Sequence, residues 1–86
     1  MTDEYYIAEL NIKAQKRFEL IMANSENAIK ALWEVCALIS PLEPDREVDA
    51  YLADFANTED AVHEACFKIT IIEWKAEQAK GQSERI

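Results

Sequence analysis

Few side chains in this sequence are equipped for chemistry. The single histidine, His63, follows two acids and precedes a cysteine, so that Glu59, Asp60, His63 and Cys66 fall at helical spacing. On a helix those offsets bring side chains to one face, and a carboxylate three residues before a histidine holds metal in some helical bundles. The set is incomplete. It has Asp where that pattern has Glu, and no second histidine, so a second copy of the chain would have to complete it. A lone histidine beside an apolar stripe reads more simply as a partly buried polar residue, and no metal or cofactor is expected.

Catalysis finds still less support. The chain has no glycine-rich phosphate loop, no Ser/His/Asp set with a local signature and no cysteine in a basic setting. With one histidine and one glycine, the usual catalytic constellations cannot be assembled, and the sequence reads as non-enzymatic. Cys36 and Cys66 form no CxxC pair and are too few for a disulfide framework; they read as small buried hydrophobes.

Carboxylates are what the chain has in abundance. The formal net charge is −8, and the segment from Glu43 to Glu64 holds eight acids against one base, Arg46. Most of these acids lie off the apolar stripe of their helix and so predict an exposed anionic surface, with Glu43, Asp45, Asp49, Asp54, Asp60 and Glu64 as candidate partner-binding residues. Such a face either keeps the chain soluble or docks a basic protein partner, since clustered charge steers association. Direct binding to nucleic acid is not expected, because phosphates need Lys/Arg clusters. An acidic protein can instead occupy the nucleic-acid site of an enzyme, and small acidic helical chains are common among phage accessory proteins.

The elements that position these groups are helices. One glycine and two prolines in 86 residues, with alanine, glutamate, leucine and lysine abundant, suit helix and leave out the frequent turns an all-β domain needs. No run approaches the ~20 apolar residues of a membrane span, and the acidic start, Met1-Thr2-Asp3-Glu4, is unlike a secretory signal, so a cytoplasmic location is expected. The length allows one domain.

A heptad-like stripe runs Ile7, Ala14, Phe18, Ile21, Ala28, Leu32, Val35, Ile39, and a second runs Val48, Tyr51, Leu52, Phe55, Val62, Cys66, Ile69, Ile72, Ala76. Between them, Ser40-Pro41-Leu42-Glu43-Pro44-Asp45 is the clear break. The expected architecture is therefore all-α: an antiparallel helical hairpin with one helix over about 3–39, a turn at 40–45, and a second helix over about 46–80. Thr2 is the expected N-cap, Gly81 the expected helix stop, and 82–86 a flexible tail. In such a hairpin residue i faces roughly 85 − i, each helix being roughly 50 Å long. An internal echo, Ala23-Asn24-Ser25-Glu26-Asn27-Ala28-Ile29 against Ala56-Asn57-Thr58-Glu59-Asp60-Ala61-Val62, offers the alternative of kinks near Asn24 and Asn57 and a compact four-helix fold.

A straight hairpin leaves apolar surface uncovered. Ten of the twelve residues from Ala28 to Ile39 are apolar, and Phe67, Ile71 and Trp74 sit on a face away from Val62, Cys66 and Ile69. Contiguous patches of this kind mark association. The expected remedy is a homodimer or higher oligomer that completes a four-helix bundle through Ile29, Leu32, Trp33, Cys36, Phe67, Ile71 and Trp74. Tyr5 and Tyr6 would join Trp74 at the end remote from the turn.

In length and in its Pro41-Leu42-Glu43-Pro44 turn the layout is similar to that of secretion-needle subunits. The apolar segment before the turn, the two cysteines and the two tryptophans depart from that outline and read as a closed bundle core. The expectation is thus a self-associating interaction protein, an inhibitor or adaptor; the alternative is a small ligand- or metal-binding bundle.

Overall fold

A computed structural model describes the backbone of residues 2–84 and the side chains of residues 7–80. The described residues form four helices and no strand: α1 (Thr2–Asn24), α2 (Ala28–Ile39), α3 (Pro44–Asp54) and α4 (Thr58–Glu84). The fold is all-α, as the composition requires, but each long helix of the expected hairpin is broken once.

The breaks have local causes. Asn24 Nδ2 donates to the Leu20 carbonyl at 2.8 Å, satisfying the end of α1, and Asn27 Oδ1 accepts from the Lys30 amide at 2.9 Å, capping α2. Side chains that bond to nearby backbone in this way compete with helix continuation. The apolar stripe keeps its register across Ser25, but register does not oblige the backbone to stay helical. At the second break the Phe55 amide closes on the Tyr51 carbonyl, and Asn57 Oδ1 accepts from the Glu59 amide at 2.9 Å. The echo is therefore only partly structural. Asn57 heads α4, whereas its counterpart Asn24 ends α1 and the cap of α2 is Asn27, three residues on.

The turn lies where Pro41 and Pro44 put it. Ser40 ends α2 with its amide on the Cys36 carbonyl, and Pro44 opens α3 in the first turn, where a missing N–H costs nothing. At the other end α4 continues through Gly81 to Glu84, beyond the expected stop at 80. No glycine takes a positive φ, and the surrounding Lys, Gln and Glu are good enough helix formers to carry one glycine at about 1 kcal/mol. Of the expected tail, residues 85 and 86 lie outside the described residues, as do the side chains of Thr2, Tyr5 and Tyr6.

Helix α4 is the centre of the fold, packed by α1 and by α2, with α3 lying on α2 and α4. The core is Ala31, Leu32, Val35 and Cys36 of α2, Val48 and Tyr51 of α3, and Ala61, Val62, Ala65, Cys66 and Ile69 of α4. A chain broken into four helices can bury these faces within itself, which a two-helix hairpin cannot. Helices α1 and α4 pack antiparallel. The pairs that join them are Gln15/His63, Phe18/His63, Arg17/Thr70 and Arg17/Glu73. No helix among the described residues is long and apolar enough to cross a membrane.

Candidate functional site

The possible metal ligands do not converge. Among the described residues, no three His, Cys, Asp or Glu side chains form a group that could hold an ion. His63 Nε2 donates to Gln15 Oε1 at 2.7 Å, and its ring meets Phe18 edge-on with centroids 5.1 Å apart. Asp60 points to solvent, while Cys66 is buried.

Both cysteines are unpaired thiols in the core. Burial pushes each up to about 11, with the Glu47 carboxylate adding to the rise at Cys36 and the Arg17 guanidinium opposing it at Cys66. A thiol so protonated is a poor nucleophile near neutral pH. Tyr51 stacks on Phe55 and is pushed to about 12, first by burial, then by Glu47.

Of the seven residues expected to face a second copy, Leu32 and Cys36 are fully buried in the chain's own core. That corrects their assignment as surface: the breaks at Ser25 and Asn57 let α2 turn this stripe onto α4. Ile29 and Trp33 remain more than 40 % exposed on α2. Phe67, Ile71 and Trp74 are half-buried on α4.

The six acidic candidates are all exposed, but they do not make one continuous face. At 100° per residue, Asp45 and Asp49 share one flank of α3, while Asp54 lies on the other with Glu47, beside Lys68. Asp60 and Glu64 stand one turn apart on the outer side of α4. Glu43 pairs with Arg46 at 3.5 Å. The other five make no hydrogen bond or ion pair among the described residues.

Glu47 differs from its neighbours. It accepts from Ser40 Oγ and from Lys68 Nζ, each at 3.2 Å, and so ties α2, α3 and α4 together. Nothing in its sequence position separates it from the surrounding acids except its place one residue before Val48. On the opposite side of α4, Arg17 bonds Glu73 at 2.9 Å and reaches the Thr70 hydroxyl at 3.5 Å.

Two grooves border the outer side of α4. One runs between α1 and α4 past Ile12, Gln15 and His63. The other starts at Tyr51 of α3 and passes Glu64, Phe67 and Ile71. Sequence reasoning missed Ile12, which is 56 % exposed and belongs to neither apolar stripe. The chain matches no protein-family model, no curated protein and no solved structure.

Proposed function

We propose that this chain is a non-enzymatic interaction protein that self-associates and binds a basic protein surface through the carboxylates along α3 and the start of α4, acting as a stoichiometric inhibitor or an adaptor. One observation carries the reading. Asp45, Asp49, Asp54, Asp60 and Glu64 are exposed and form no ion pair among the described residues, whereas Glu26, Glu47 and Glu73 each hold a Lys or Arg. Uncompensated like charges in one region repel one another, and a partner bearing lysines or arginines relieves that repulsion and is drawn in by the same field.

The test is an affinity capture from the expressing cells, with the wild type and with Asp49→Lys, Asp60→Lys and Glu64→Lys combined. These three side chains lie outside the core, so the variant should retain its helical circular dichroism. The expected result is loss of the captured partner. Capture of the same partner by the folded variant would defeat the acidic-surface reading.

A further inference from the structure

We propose that two copies of this chain pair by exchanging α1: the break at Ser25–Asn27 straightens into helix, and each α1 packs along the α4 of the other copy. The proposal rests on the self-association put forward above and gives it a form.

Helix α1 is held to its own chain mainly through one surface. It packs on α4, touches α2 only lightly and does not reach α3. Leu10 and Ala14 are buried, and Phe18, Ile21 and Met22 are half-buried. Among the described residues, the hydrogen bonds, ion pair and ring contact that α1 makes to another helix run from Gln15, Arg17 and Phe18 to His63, Thr70 and Glu73 of α4. This surface requires an α1, but nothing in it requires the α1 of the same chain.

The break is short and suited to helix. Ser25, Glu26 and Asn27 include no glycine or proline, and among the described residues their amides donate to no backbone carbonyl. Helix ends leave amides and carbonyls unpaired. Made helical, the amides of residues 25–28 reach the carbonyls of residues 21–24, four residues back. The Lys30 amide, now capped by Asn27, takes the Glu26 carbonyl instead. The apolar stripe is ready for this. Phe18, Ile21, Ser25, Ala28, Leu32, Val35 and Ile39 keep alternating steps of three and four across the break, and all are buried or half-buried. One straight helix carries that face through without interruption.

What opening exposes identifies the occupant. A single straightened chain bares Leu10, Ala14 and the α4 surface beneath them. A second straightened chain covers both, using the contacts the closed fold already has, so no new complementary surface has to exist. The closed chain competes by holding its own α1 at an effective concentration of order mM. Main-chain bonds regained across two breaks oppose that advantage, and exchange grows with chain concentration.

The test is to refold the full chain from urea at about 1 and about 500 μM, far below and near that effective concentration, and to size it by sedimentation velocity. Wild type should be monomeric at the first and largely dimeric at the second. Ala28→Pro should stay monomeric. Proline suits the first position of α2 and the extended Asn27 before it, but in a straight helix it would clash with the Asn24 carbonyl. Asn27→Ala, which removes the cap, should dimerise at lower concentration than wild type. Mixing the Arg17→Glu chain with the Glu73→Arg chain reports exchange directly. Each alone sets like charges together at the 2.9 Å contact between Arg17 and Glu73. A dimer that exchanges α1 between the two restores an opposite pair on both sides. After the mixture is refolded, native mass spectrometry should show heterodimer above the share of random pairing, a readout that stands even if Ala28→Pro folds poorly. A wild type monomeric throughout would overturn both the self-association reading and the exchange. A dimer retained by folded Ala28→Pro, or heterodimer at the random share, would overturn the exchange alone.

Discussion

Leu32→Ala separates a core built within one chain from one completed between copies. Leu32 is fully buried among Val35, Val62, Cys66 and their neighbours, and a Leu→Ala change at such a site costs about 2–5 kcal/mol, part transfer and part cavity. For a domain of this size that is a large share of the ~5–15 kcal/mol that holds any native state together. At roughly 4–8 °C per kcal/mol, even a 3 kcal/mol loss lowers Tm by about 12–24 °C. The assay is urea unfolding followed by circular dichroism, for wild type and variant, at two protein concentrations a factor of about ten apart. The burial places the loss inside each chain, so the difference between the proteins should be the same at both concentrations. Trp33→Ala on the exposed side of α2 should cost much less. A Leu32→Ala loss below about 1 kcal/mol, or one that grows on dilution, would refute the assignment of this stripe to the chain's own core.

Three further outcomes follow from the same geometry. Asn27→Ala should cost about 1 kcal/mol by removing the α2 cap, and Asn24→Ala less, as measured by urea midpoint; the reverse order would move the helix start back to Asn24. Glu47→Gln should lower the pKa of both Tyr51 and Cys36, since Glu47 raises each of them, and should weaken the tie to Lys68; ultraviolet titration of the phenol and iodoacetamide titration of the thiol read the two shifts. Stability should fall as pH rises from about 9 to about 11. Over that window the unfolded chain releases thiol protons that the native state retains at Cys36 and Cys66, so unfolding is favoured. A stability curve flat or rising through the window would contradict that burial.

The parts of the fold that are legible in the sequence are those fixed by local chemistry or by long periodicity. The Pro41–Pro44 turn is set by two residues that restrict the backbone, and the all-helical class by apolar stripes many turns long. The breaks at Ser25 and Asn57 are not legible in the same way. Asn and Ser fit a helix interior poorly but do not forbid it, and the outcome depends on what α2 can bury once it turns. The fates of Leu32 and Cys36 depend on that choice. The separation of Phe67 and Ile71 from the Val62/Cys66/Ile69 stripe is already present in the spacing. Ile12 is not, because it stands alone between Asn11 and Lys13 and acquires neighbours only when α1 lies on α4. Glu47 is likewise one acid among eight until Lys68 and Ser40 come within reach of it.

The proposed role of the exposed carboxylates on α3 and α4 is to bind a basic partner. The most direct test is the affinity of the captured partner for the wild-type chain, measured by calorimetry from about 0.05 to about 0.5 M salt, a range over which screening shortens to a few Å. The affinity should fall steeply with salt, and much less steeply for the Asp49→Lys, Asp60→Lys, Glu64→Lys chain. An affinity constant across that range would contradict it.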